Sequence, residues 1–222
     1  MAMLFLLAML TVCAAIPRDL NTKMFTFPQE TSTAHVQLTT SHKQLKAVTV
    51  CLRSFTDLSR SHSLFSLATP SFANDFLIWK ETEEGQLSIY VRNQRVTFIG
   101  QNYKVNTWHS ICATWDSASG VAQLWLDGMF SSRKFVSSGS NITGPITIIL
   151  GQEQDSPGGG FSAPQSFLGM MADIHMWDYV ISPAEIQNYG YRYVHFQTGN
   201  VLSWNMLDFQ VTGRVLVEDQ QD

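Results

Sequence analysis

Residues 107–115 read TWHSICATW, and residues 46–55 read KAVTVCLRSF. In the second stretch Ala47, Thr49, Cys51 and Arg53 alternate with Val48, Val50 and Leu52. A period of two with one strongly apolar face is the signature of a strand that buries one side. The first stretch reads as a second strand. Moving outward, Phe76–Lys80, Gln86–Val91, Arg95–Ile99, Val121–Leu126, Ile146–Leu150, Phe167–Trp177, Val201–Asn205 and Val215–Val217 add short apolar or alternating runs. Turn chemistry separates them: Gly85, Arg92-Asn93-Gln94, Asp116 to Gly120, and the hairpin dipeptide Asp127-Gly128.

One helix stands out. Ser182-Pro183-Ala184-Glu185 offers Ser at the N-cap, Pro at N1 and Glu at N3, a capping box. Ile186 and Tyr189 then share a face, and Gly190 is placed to end the helix. Many short strands with one helix predict an all-β fold, a flattened antiparallel β-sandwich or jelly roll. No low-complexity linker or internal repeat divides the chain, so residues 16–222 are expected to form one domain.

Composition sets the class of function. The 222 residues are 45% hydrophobic and 14% charged, with a net charge of −4. That balance excludes wholesale disorder and gives no basic footprint for nucleic acid or an anionic membrane. Residues 1–15, MAMLFLLAMLTVCAA, carry no charged side chain and end in small residues. They read as a secretory signal peptide, since the apolar run is shorter than the roughly 20 residues of a membrane span. The processed chain is then expected to be secreted, extracellular and without a transmembrane segment. It keeps two cysteines, Cys51 and Cys112. In an oxidising compartment an even pair reads as a disulfide, the alternative being two buried thiols. The sequon Asn141-Ile142-Thr143, followed by Gly144-Pro145, marks Asn141 as a glycan acceptor on a surface turn.

Chemistry concentrates in Gly151-Gln152-Glu153-Gln154-Asp155-Ser156-Pro157-Gly158-Gly159-Gly160. Glu153 and Asp155 are two apart and point the same way in extended chain. Carboxylate, amide and carbonyl oxygens are what a hard cation such as calcium requires, although the spacing is not that of an EF-hand. A solvated surface loop remains the alternative. A glycosidase would also use paired carboxylates, but no third carboxylate follows in register. HExxH, GxSxG and Walker motifs are absent from the sequence. His109, inside a strand, reads as structural, and the chain reads as a non-enzyme.

His109-Ser110-Ile111-Cys112-Ala113-Thr114-Trp115 resembles the signature His-x-Cys-x-Ser/Thr-Trp of the pentraxin family, with Cys-x-Thr-Trp in register and His109 one residue further from the cysteine; the family's cysteine has its partner about sixty residues upstream, where Cys51 stands. Residues 148–156, IILGQEQDS, resemble that family's calcium loop. Met176-Trp177-Asp178 with Ser182-Pro183 is similar to the segment entering its helix, and Val201-Leu202-Ser203-Trp204 to its closing strand. The resemblance, to the short pentraxins, runs from about Lys23 to the C-terminal strand. It implies a cyclic homo-oligomer, usually a pentamer, and calcium-dependent binding of phosphocholine, phosphoethanolamine or glycans. It further implies pattern recognition in innate immunity and the acute phase, with complement components as partners. A laminin-G-like or glycosidase-like β-sandwich with another ligand is the competing reading.

Carried over residue by residue, the resemblance makes Asn74, Glu153, the Gln154 carbonyl, Asp155 and Gln165 calcium ligands. Two positions depart from the family pattern. Ala73 stands where an Asp precedes Asn74, and Ser162 where a carboxylate is expected, which implies weaker binding or fewer ions. Asp75 would substitute for the missing Asp if the loop shifted by one residue. Trp79 falls near the wall that packs choline methyls, and Arg95 near the carboxylate that would face the choline nitrogen, so the resemblance does not imply choline specificity.

Overall fold

The computed structural model describes residues 17–191 and 196–220. The signal-peptide reading for residues 1–15 lies outside them. Among the described residues the strands are, in chain order, β1 (Lys23–Phe27), β2 (His35–Leu38), β3 (Gln44–Leu45), β4 (Ala47–Phe55), β5 (His62–Thr69), β6 (Phe72–Lys80), β7 (Leu87–Val91), β8 (Gln94–Phe98), β9 (His109–Asp116), β10 (Val121–Leu126), β11 (Met129–Phe130), β12 (Lys134–Phe135), β13 (Ile142–Thr143), β14 (Thr147–Leu150), β15 (Gly169–Trp177), β16 (Phe209–Thr212) and β17 (Leu216–Asp219). The helix α1 spans Pro183–Gly190.

Two antiparallel sheets hold most of them. The first runs β11-β10-β9-β4-β15-β1-β17, with β12 also on β10, and the second runs β16-β2-β14-β5-β6-β7-β8. Val48, Val50, Leu52, Ile111, Ala113 and Trp115 of the first sheet share one apolar cluster with Phe65, Leu67, Phe76, Ile78, Ile89 and Ile148 of the second. The chain is therefore the two-layer β-sandwich that the alternation predicts.

The two stretches that open the sequence reading are neighbours. β4 pairs with β9 over eight residues, and Cys51 lies directly opposite Cys112. The two form a disulfide, with their Cα atoms 4.1 Å apart. Strand alternation sends both cysteines away from the core, yet Cys51 is fully buried. The reason is a second cluster: Cys51, Cys112, Trp125 and Trp177 pack under Ile181 and under Ile186 and Tyr189 of α1. The outer face of the first sheet is thus roofed by the helix, and the bridge sits beneath that roof.

The capping box forms as read. Ser182 Oγ accepts from the Glu185 amide at 3.3 Å, and the Ser182 amide donates to Glu185 Oε2 at 2.8 Å. The helix ends at Gly190 as read, but not through a left-handed glycine cap: Gly190 is the last helical residue and Tyr191 is the C-cap. The missing Cβ of Gly190 serves contact instead, because a Cβ there would lie 2.7 Å from the Gly128 nitrogen. Arg92-Asn93 and Asp127-Gly128 are two-residue hairpin turns with positive φ at both positions.

Val201–Asn205 is not a strand. Leu202 makes a single bridge to Met176, and the chain then turns through a 3₁₀ helix at Trp204–Met206. The turn drives Trp204 into the core, edge-on to Phe25 at 5.2 Å. The sheets are instead closed by β16 and β17, of which the sequence reading anticipates only the second.

Two histidines make this packing sensitive to acid. His62 and His175 are almost fully buried, and desolvation pulls both from the usual 6.5 to about 4. Each folded-state value lies below its unfolded value, so the unfolded chain binds these protons more tightly. Their contribution is complete above pH 6.5 and is lost as pH falls towards 4. Each costs about 3 kcal/mol by the lower limit. Urea unfolding across this range should show a steep loss of stability that His175→Gln makes shallower; equal slopes for both proteins would contradict the assignment.

Candidate functional site

The Glu153 loop leaves β14 and folds over the outer face of the second sheet. It starts at Gly151, whose φ is +90° and where a Cβ would lie 2.3 Å from the Phe27 ring. Gln152 and Gln154 then turn inward, both fully buried. Gln152 Nε2 donates to the Thr31 and Ala34 carbonyls at 2.7 and 2.9 Å. Gln154 Nε2 donates to the carbonyl and Oγ of Ser66 at 3.0 and 3.1 Å and to the Thr147 carbonyl at 3.3 Å. Its Oε1 accepts from the Gly158 amide at 2.8 Å. The Gln154 side chain is thereby committed to holding the loop down.

Glu153 and Asp155 fall on the alternate positions. Glu153 is 4% exposed, whereas Asp155 is exposed. Behind Asp155 the chain reverses through Ser156 and Gly159, where the Gly159 amide donates to the Ser156 carbonyl at 2.8 Å. Gly160 must lack a Cβ, which would sit 2.6 Å from that of Asp155. The loop closes at its neck, where the Phe167 amide donates to the Gly151 carbonyl at 3.0 Å.

Asn74 comes from a different part of the fold. It lies in β6, and its amide donates to Asn93 Oδ1 at 2.9 Å across the β7–β8 hairpin. Its side-chain amide reaches Glu153. Burial pushes the Glu153 carboxyl above the usual range; the Asn74 hydrogen bond opposes the rise, and the negative charge of Asp155 adds to it. Gln165 ends the 3₁₀ turn Ala163–Gln165, which Ser162 caps without a side-chain hydrogen bond.

Asn74 Oδ1, Glu153 Oε2 and Gln165 Oε1 are all buried without a hydrogen-bond partner. Oxygen atoms in that condition are costly unless something positive meets them. The structure therefore brings Asn74, Glu153 and Asp155 together and leaves an orphaned oxygen on Gln165. Among the described residues no group of three His, Cys, Asp or Glu side chains is poised for a metal. Carboxylate and amide oxygens of this kind suit a hard cation.

Asp75 does not replace the missing carboxylate. One residue along a strand faces the other way, and Asp75 accepts from Thr69 Oγ1 at 2.7 Å. Burial raises its carboxyl, opposed by that hydrogen bond and by the positive charge of Arg92. Asn141 is half-buried, and its Oδ1 accepts from Ser117 Oγ at 2.9 Å.

Register places more groups on the sheet face beside the loop. Leu77 opposes Tyr90, which opposes Arg95, and Trp79 opposes Ser88 in the adjoining row. The Arg95 side chain is 55% exposed and stands 3.5 Å from the Glu81 carboxylate. It also bonds the Tyr90 phenol. Sequence reasoning missed Tyr90, Glu81 and the anchoring role of Gln152 and Gln154.

The sequence profile of the group described as the Pentaxin family matches residues 23–219. The chain belongs to the pentraxin family. It is 39% identical to the serum amyloid P-component of Cavia porcellus over 219 residues, 97% of this chain and 96% of that protein. It is 41% identical to the C-reactive protein of Xenopus laevis over 206 residues, 91% of this chain and 85% of that protein. Among solved structures, a native heptameric SAP-like pentraxin from Limulus polyphemus shares the fold, with a TM-score of 0.83 and 23% identity, covering 91% of this chain and 95% of that one.

As a pentraxin, the chain uses Gln154 to brace the loop that carries its two carboxylates. Gln154→Ala should lower stability by about 1–3 kcal/mol, since it strands the buried Ser66 and Thr147 groups. Urea unfolding with calcium chelated measures this; an unchanged midpoint would show that the strut carries no load.

Proposed function

We propose that this pentraxin is a secreted, non-enzymatic, calcium-dependent pattern-recognition protein of innate immunity. The observation that carries the reading is Glu153, a buried carboxylate whose neighbours are an amide and a second carboxylate. A divalent cation is the partner that would relieve that arrangement. Glu153 and Asp155 would hold calcium by charge, with Asn74, Gln165 and the Gln154 carbonyl as neutral ligands. Calcium would in turn present open coordination positions to ligand oxygens. Ala73 and Ser162 supply no charge, so the affinity belongs near the weak end, about 10⁻⁴ to 10⁻³ M, typical of extracellular modules.

The ligand is a glycan or a phosphate ester read through its phosphate oxygens, with phosphocholine the least favoured of these. Arg95 beside Tyr90 disfavours a quaternary ammonium and leaves phosphate or hydroxyl oxygens as the better-suited groups. The non-enzymatic reading is supported by the histidines. His109 Nδ1 is 2.7 Å from Asp127 Oδ2, and its Nε2 meets the Lys104 backbone at 2.9 Å, so both ring nitrogens are committed. A closed homo-oligomeric ring, with five subunits as the family's usual number, accompanies this function. Complement components would then be downstream partners. Secretion is consistent with the disulfide, and among the described residues no helix is long and apolar enough to cross a membrane.

Titration calorimetry should detect weak calcium binding in the wild type, tighter binding in Ser162→Glu, and none in Asp155→Ala. On phosphocholine, phosphoethanolamine and agarose resins, retention should require calcium, reverse with EDTA, and be weakest on phosphocholine. Absence of calcium heat in both wild type and Ser162→Glu, with no EDTA-sensitive retention, would refute the reading.

A further inference from the structure

We infer that Arg60 is a positioning residue that holds the loop 152–166 in its cation-binding form before a cation arrives, an inference that rests on the calcium reading above. Arg60 stands two residues before β5, far in sequence from the loop. Its Nη1 nevertheless donates to the Pro164 and Ser166 carbonyls, both at 2.8 Å. These are the residues on either side of Gln165. The same nitrogen reaches the Ser61 carbonyl at 3.1 Å, and Nη2 meets Glu30 Oε2 at 3.1 Å.

The arrangement holds the carbonyls of the residues flanking Gln165 and leaves the Gln165 side chain unengaged, with Oε1 buried and unpartnered. Ser166 tightens the turn from within, its Oγ donating to the Ala163 carbonyl at 2.7 Å. Gln154 pins the opposite limb on Ser66 and Thr147. With the neck closed between Gly151 and Phe167, the loop is held at both its limbs and at its base. A planar guanidinium suits this role because its fixed fork satisfies several acceptors at once, which an ammonium does not reproduce.

The consequence for binding is energetic. Ordering backbone costs conformational entropy at every residue fixed. A loop ordered by Arg60 and Gln154 does not charge that cost to the ion. In a site that retains two carboxylates, rigidity is the other determinant of calcium affinity. Residues that orient metal ligands without touching the metal contribute about 10–100-fold in affinity.

The test compares Arg60→Met, Arg60→Lys and the wild type with a control, Arg53→Met. Arg53 is also partly buried and ion-paired, to Asp173 at 3.3 Å, but lies in the other sheet. Calcium affinity, amide hydrogen exchange at 152–166 in EDTA, and the urea midpoint are measured on each. Arg60→Met should weaken calcium binding about 10-fold or more and speed exchange at 152–166. Arg60→Lys should recover part of both effects, and Arg53→Met should lower the urea midpoint without changing affinity. Wild-type affinity in Arg60→Met, or an equal loss of affinity in Arg53→Met, overturns the inference. If the wild type gives no calcium heat, the calcium reading fails. The hold on the loop then stands if Arg60→Met speeds exchange at 152–166 and falls if it does not.

Discussion

Glu153 is a carboxyl group taken out of water and set beside an amide and another carboxylate. Desolvation and Asp155 both raise the cost of its charge, and the Asn74 hydrogen bond offsets part of it. Much of the surrounding structure keeps that arrangement in place. Gln152 and Gln154 turn inward and fasten the chain to β5, to β14 and to the segment before β2, which forces Glu153 to the other side. Gly151 and Gly160 allow approaches to Phe27 and Asp155 that a side chain would block. The loop is therefore a fixed part of the sandwich, and the Glu153 carboxylate is held out of solvent while Asp155 faces it.

The two faces of the sandwich do different work. The outer face of the first sheet is covered by α1, and the disulfide, Trp125 and Trp177 are packed beneath it. The outer face of the second sheet carries the Glu153 loop and the rows containing Trp79, Tyr90 and Arg95. The apolar core between the sheets joins both faces into one body. One surface is closed by packing and the other is polar, with unpaired oxygens.

Much of this was legible in the sequence because the decisive strands keep a clean period. β4 and β9 carry valine, isoleucine and alanine on one face and cysteine on the other, and their pairing follows. The capping box of α1 and the hairpin turns depend on local chemistry and were equally readable. β5 was not, because His62, Ser63 and Ser66 are polar residues buried by tertiary contacts. Val201–Asn205 looked like a strand because its apolar residues are spaced as in one, but the demand of the Trp204 indole for the core wins. At the site, Glu153 and Asp155 announced themselves by type and spacing. Gln165 and Asn74 had no local signal and came only through family resemblance. Arg60 was invisible, since its partners Pro164 and Ser166 are 104 and 106 positions away.

The most direct test is a crystal structure of the protein grown with millimolar calcium, read by anomalous difference density. A peak is expected among Asn74 Oδ1, the Glu153 and Asp155 carboxylates, the Gln154 carbonyl and Gln165 Oε1, at calcium–oxygen distances of about 2.3–2.6 Å. Density elsewhere, or an ordered loop with Glu153 protonated and no ion beside it, would contradict the account.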